Sequence, residues 1–146
     1  IETRVIAADL SDHAAVEQVI AETDELEIGL LIAAAGYGTS GRLIESSMTQ
    51  EVDMLDVNTR AVLVMSQHFG KRFAQQRRGG IVLMSSLVAF QGVPMSANYA
   101  ASKAYIQSLA EGLHEEHQPE ADDADRHGEG VSAHTVVTLI PRGLRQ

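Results

Sequence analysis

The chain has no cysteine, no tryptophan, only three prolines and 4% aromatic residues. Without cysteine there can be no disulfide and no thiolate metal site, although the compartment stays open on that ground alone. No apolar run approaches the roughly 18 residues that a membrane-spanning helix needs, and no charged-then-apolar leader pattern opens the chain. Basic residues are scarce too: 11 Lys and Arg stand against 20 Asp and Glu, for a net charge of −9. That balance argues against a nucleic-acid surface or an anionic membrane surface, both of which want clustered cations. Internal repeats are absent. What remains is 146 residues, 45% of them hydrophobic, enough for one domain with a sizeable core. A soluble, cytoplasmic protein is the default expectation.

Against these absences, GGIVLMSSLVAFQGVPMSANYAASKAY carries a pattern with a chemical use. Tyr99 and Lys103 are four residues apart, which on a helix places them on one face. A cation beside a phenol favours the phenolate and suits the pair to acid/base work. Ser86, at the end of an apolar strand, can aim its hydroxyl at the same carbonyl or alcohol oxygen. Together the three residues describe a proton-transfer site, and the strand–loop–helix context supplies what the bare spacing lacks.

The rest of the chain reads as alternating strands and helices. RVIAA (4–8) reads as a strand running into a polar turn, with Ser11 or Asp12 capping a helix to about Thr23. LLIAAA (30–35) reads as a short strand buried on both faces. The spacing of Val52, Leu55, Ala61, Val62, Val64, Met65 and Phe69 predicts one long amphipathic helix over 47–76. IVLMSS predicts a third strand, 96–114 a second long helix, and SAHTVVTLI (132–140) a fourth strand. Such alternation argues for an α/β fold with a parallel sheet and helices on both faces. Residues 115–130 (EEHQPEADDADRHGEG) hold seven acidic residues and read as a solvated, flexible loop. His114, His117 and His127 lie in or beside that tract without anything to fix three metal ligands, so no metal site is expected.

With SS-x12-YxxxK on a strand–loop–helix, the chain resembles the short-chain dehydrogenase/reductase family over nearly all of its length. ADLSD, LIAAAGYG, MLDVNTRAVLVMSQ and LIPRG follow the family's landmarks in the right order. The resemblance implies a partial Rossmann-like three-layer fold, with a parallel sheet of about four strands flanked by helices. It also implies an NAD- or NADP-dependent interconversion of a carbonyl and an alcohol. Tyr99 would be the general acid/base, Lys103 would assist it and bind the nicotinamide ribose, and Ser86 would hold the substrate oxygen. Asn58 would hold a water linking Lys103 to solvent, while Ser85 faces the other side of its strand. Asp9 and Leu10 would approach the adenine, Ala34, Ala35 and Gly36 the adenine ribose, and Pro141 and Gly143 the nicotinamide. Helices 47–76 and 96–114 match the family's usual interface, so a homodimer or homotetramer is implied.

The departures are equally specific. The chain opens with Ile1 inside a strand-like run, and the family's TGxxxGxG phosphate turn has no counterpart in it. NNAG has become AAAG (33–36), and the PG turn has become PRG (141–143). The polypeptide therefore reads as a fragment, with a non-catalytic dimerisation module as the alternative function. Two strands that normally separate 4–8 from 30–35 are missing from the pattern. The expectation is that strand 4–8 fills that vacancy through a right-handed crossover, since an open edge is costly.

Overall fold

The computed structural model describes residues 3–116. Its regular elements are helix α1 (His13–Glu22), strand β1 (Leu30–Ala33), helix α2 (Met48–Leu55), helix α3 (Ala61–Gln76), strand β2 (Gly80–Leu83) and helix α4 (Ala97–Glu116). A π-helical turn, Asp56–Arg60, joins α2 to α3, so the helix expected over 47–76 is continuous but locally widened. Short 3-10 turns at Leu43–Glu45 and Leu87–Phe90 were not signalled by periodicity.

Asp12 starts α1, its carboxylate accepting from the Ala14 N–H at 3.0 Å and satisfying one of the orphan donors of the first turn. At the other end, Arg72 of α3 donates to the carbonyl oxygens of Thr23, Asp24 and Leu26. One guanidinium thus satisfies three carbonyls just past the helix end and ties α1 to α3. Val16 projects from α1 into a cluster with Ala61, Met65, Phe69 and Phe73. A second cluster joins Ala33, Val62, Leu83, Ile106 and Ala110, bringing α4 onto the strands. Burying an aromatic or large aliphatic side chain in this way stabilises by about 1.5–3 kcal/mol.

The strands pair in parallel, Leu30 opposite Gly80 through Ala33 opposite Leu83. Side chains alternate along a strand, so Leu31, Ala33, Ile81 and Leu83 share one face, and both clusters lie on it. Leu30 and Ile32 point the other way and are 53% and 58% exposed. The expectation of a strand buried on both faces is corrected: among the described residues, helices cover one face of the sheet.

Two further expectations change. Residues 4–8 form no strand and pair with nothing in the sheet, so the idea that they fill the place beside β1 is overturned. A strand needs a partner for its backbone groups, and an apolar run does not supply one. The sheet of about four strands contains two among the described residues. The strand expected at 132–140 and nearly all of the acidic tract lie outside them.

Candidate active site

β1 and β2 end side by side, with the Met84 N–H donating to the Ala33 carbonyl at 3.4 Å. The segments that follow them, 34–41 and 84–86, form the floor of the site at the C-terminal edge of the parallel strands. That edge is where open α/β sheets bind ligands. Helix α4 closes the site from the side and carries Tyr99 and Lys103 one turn apart.

Lys103 is 6% exposed. Its ammonium donates to the Met84 carbonyl at 2.9 Å, and the Ser85 hydroxyl donates to the Lys103 carbonyl at 3.0 Å. The lysine is therefore fixed at both ends against the exit of β2. Gly36, at the exit of β1, approaches the same point. A Cβ there would fall 2.9 Å from Asn58 Oδ1 and 3.3 Å from Lys103 Nζ, so only glycine lets this backbone come so close.

Asn58 is 1% exposed and sits in the π-turn. Its Oδ1 accepts from the Tyr37 N–H at 3.0 Å, while its Nδ2 donates to the Tyr37 carbonyl at 2.8 Å and to Ser102 Oγ at 3.1 Å. Ser102 in turn donates to the Tyr99 carbonyl at 2.8 Å. A continuous hydrogen-bonded path thus runs from the loop after β1, through the widened helix, to the backbone of the tyrosine. The amide of Asn58 is spent on protein groups, which is a positioning task the water-holding expectation did not foresee.

Tyr99 is half-buried, and its ring lies over Gly38: a Cβ on that glycine would be 3.1–3.4 Å from three ring carbons. Ser86 is half-buried in extended backbone, and its Oγ accepts from the Val88 N–H at 3.5 Å as it caps the 3-10 turn. Its own hydroxyl proton is what it can offer a ligand oxygen. Ser85 spends its hydroxyl on α4 and takes no part in the Ser86 contact with Val88.

The residues expected to meet the adenine and its ribose are arranged differently. Asp9 is exposed, and its Oδ1 accepts from the Ser11 N–H at 3.0 Å and the Ser11 hydroxyl at 2.8 Å, which hold its carboxyl below the usual range. Arg60 docks this turn on the π-turn, donating to the Ser11 carbonyl at 2.9 Å while paired with Asp56 at 2.7 Å. Leu10 packs against the α1–α3 cluster, and Ala34 and Ala35 are exposed. Tyr37 joins the two sides: burial, then the charges of Asp53, Asp9, Asp56 and Glu51, push its phenol above its ordinary value. Pro141 and Gly143 lie outside the described residues. No cluster of three or more metal-ligating side chains occurs among the described residues, and no described helix is long and apolar enough to cross a membrane.

One buried residue beside this site gave no signal in the sequence. Glu51 of α2 is 5% exposed, and its Oε2 accepts from Thr39 Oγ1 at 3.0 Å and Asn98 Nδ2 at 2.8 Å. The Asn98 amide, ahead of the Thr39 and Ser46 hydroxyls, holds this carboxyl below its ordinary value although burial opposes it. An acid in the first turn of a surface-type helix reads as a dipole partner, and only the fold shows that it is buried.

A glycine-backed exit from β1 beside a buried ammonium at the exit of β2 is chemistry that suits the hydroxyls of a dinucleotide's ribose. The sequence profile for short chain dehydrogenases matches residues 1–121, and the chain belongs to that family. It is 30% identical over 144 residues to a 7beta-hydroxysteroid dehydrogenase of Collinsella aerofaciens, covering 99% of this chain and 52% of that protein. A short-chain dehydrogenase from Sphingobium yanoikuyae, solved in complex with NADPH, superposes with a TM-score of 0.70 at 31% identity, over 75% of this chain and 43% of that one. A 4-hydroxyisoleucine dehydrogenase complexed with NADH and succinate gives a TM-score of 0.71 at 28% identity, over 77% and 55%. The chain spans about half the length of these relatives. These neighbours carry the Rossmann-type α/β fold to which the two-stranded core belongs.

Proposed function

We propose that this member of the family interconverts a carbonyl and an alcohol with NAD or NADP, using Tyr99 as the general acid/base. The observation that carries the reading is the convergence of Lys103 Nζ, Asn58 and Gly36 at the ends of both strands, with Tyr99 laid over the neighbouring Gly38. The dinucleotide, when bound, supplies or receives the hydride. Asp9 and Leu10 would face its adenine, the main chain of Ala34, Ala35 and Gly36 its adenine ribose, and Tyr99 and Lys103 its nicotinamide ribose. Pro141 and Gly143 are assigned the nicotinamide side on the LIPRG pattern alone.

In reduction, the Tyr99 hydroxyl gives its proton to the substrate oxygen as charge develops there. The Lys103 ammonium, one helical turn away, is the cation against which the phenolate charge forms. The Ser86 hydroxyl donates to the same oxygen and stabilises it in the transition state. In oxidation the proton runs the opposite way. Because the Asn58 side chain is committed to Tyr37 and Ser102, any water this residue holds for Lys103 meets its main chain. Val93, Pro94 and Met95 give the substrate side an apolar rim. The protein works in the cytoplasm, away from nucleic acid and membrane, as a homodimer or homotetramer through helices 47–76 and 96–114. The exposed side chains of Val52, Leu63 and Tyr105 support that face.

A 7β-hydroxysteroid is the first probe, on the strength of the Collinsella relative. Tyr99→Phe is expected to lower kcat for its oxidation by about 10²–10⁴-fold, with an unchanged circular dichroism spectrum. If the Phe variant turns over like the parent, Tyr99 is not the acid/base. If neither form turns over any alcohol with NAD or NADP while both associate, the chain serves as an interaction module.

A further inference from the structure

We infer that Glu51 is a positioning residue for Tyr99, acting through Asn98 and Thr39; the inference rests on the assignment of Tyr99 above. Glu51 lies on α2, outside the Tyr, Lys, Ser and Asn set, yet it is among the few buried charged side chains described. Its Oε2 takes both the Thr39 hydroxyl and the Asn98 amide, and Asn98 Nδ2 also reaches the Glu51 carbonyl at 3.3 Å. These donors are neutral and short-armed. Such donors fix direction in a way that a long cationic side chain does not.

The two segments held by this carboxylate bracket the tyrosine. Thr39 belongs to the loop whose Gly38 lies under the Tyr99 ring, and Asn98 is the residue before Tyr99 in the first turn of α4. The segments are also laced to each other. The Gly41 N–H donates to the Met95 carbonyl at 2.8 Å, and the Ser96 hydroxyl donates to the Thr39 carbonyl at 3.5 Å. Met95 holds φ 64°, a left-handed conformation that costs a non-glycine residue energy and persists only where its surroundings insist on it. Glu51 anchors both segments to α2, so the floor under the ring and the backbone that carries the ring move together. Without the carboxylate, the hold of α2 on the two segments falls to the longer bonds of Asn98 Nδ2 to the Glu51 carbonyl at 3.3 Å and of Thr39 Oγ1 to Met54 Sδ at 3.6 Å.

The test follows the ring itself. The chain has three tyrosines, so carbon-13 labelling at the phenolic carbon gives three resonances, and Tyr99→Phe identifies the one that matters. Tyr105, 41% exposed on α4, is the internal reference. Glu51→Ala is expected to move the Tyr99 resonance and leave that of Tyr105 in place. Asn98→Ala should do the same, and the double variant no more than either alone. In turnover of the 7β-hydroxysteroid probe, kcat should fall by about 10–100-fold with the KM for cofactor held, since small misplacements at the reacting group are felt in rate. Glu51→Gln, which keeps one acceptor, should recover part of both signals; with Asn98→Ala it carries the test if the Ala variant does not fold. An unmoved Tyr99 resonance alongside a lowered Tm overturns the inference, as do additive effects of the two substitutions. A moved resonance in Glu51→Ala combined with an active Tyr99→Phe keeps the positioning and removes the catalytic assignment instead.

Discussion

On the side assigned to proton transfer, Asn58, Glu51 and Lys103 are buried to 1%, 5% and 6% exposure. Asn58 and Glu51 each bond two segments of the chain, and Lys103 is held by its ammonium and its carbonyl against Met84 and Ser85. On the side assigned to the adenine, Asp9, Ala34 and Ala35 are exposed, and the Asp9 side chain bonds only its near neighbour Ser11 in the hydrogen bonds described. On the proposed reading the two sides have different work to do. A proton donor out of place by about 1 Å can lose 10²-fold in rate, whereas an adenine edge contributes binding that tolerates small shifts. Preorganisation is concentrated where displacement costs most.

The comparison can be broken at its strongest point first. Asn58→Ala leaves the Tyr37 N–H and carbonyl without their partner and takes one of two hydrogen bonds from the Ser102 hydroxyl, which keeps the Tyr99 carbonyl, at about 1–3 kcal/mol for each group left unmade. A loss of about 3 kcal/mol or more in urea-monitored stability is expected, at constant m-value. A loss below about 1 kcal/mol would show that solvent replaces the amide and that this side is no more preorganised than the other.

A gentler test uses acid. Asn98 and Thr39 hold the Glu51 carboxyl below its ordinary 4.5, so its charged form is favoured by folding. That contribution is fully present above 4.5 and is lost as pH falls through the lower folded value. Glu51→Gln should therefore flatten stability against pH in that acid window and leave the neutral region's slope unchanged, as read from thermal melts at stepped pH. Asp9 is shifted in the same direction by Ser11, but it is open to solvent, and screening there makes its effect on the acid limb small.

The smallest effect is expected at Asp9 itself. Asp9→Ala should raise the KM for the dinucleotide severalfold and leave Tm and kcat where they were. A fall in kcat would mean that the adenine turn is coupled to the proton side through Arg60 and the π-turn.

Much of this was legible in sequence. The long helix announces itself through the spacing of Val52, Leu55, Ala61, Val62, Val64, Met65 and Phe69; Tyr99, Lys103 and Ser86 stand in a pattern with a chemical reason, and Asn58 enters through the family resemblance. What stayed hidden depends on partners distant in sequence. RVIAA has strand composition, but composition does not provide the neighbouring backbone that makes a strand. Leu30 and Ile32 look like core residues and lie on the face of the sheet that none of the described helices covers, because hydrophobicity does not say which layer packs on which face. Glu51 looks like a helix-start acid, and its burial depends on Asn98, 47 residues away.

The π-turn has a consequence for how the gene can vary. A turn closed by an i→i+5 bond holds one residue more than an α-turn, here with the Ala61 N–H on the Asp56 carbonyl. Removing a single residue between 56 and 60 would heal the helix into regular α geometry and retain nearly all of its apolar residues. The widened turn already absorbs the extra residue, so α2 and α3 would keep nearly their present phase and Glu51 would stay beside Asn98. Inside the turn the backbone that presents Asn58 would be lost, and the side chain there would leave Tyr37. The length of this helix is thus a frame-like constraint: substitutions on its outer face can accumulate, while a one-codon deletion is filtered out through the site rather than through the fold.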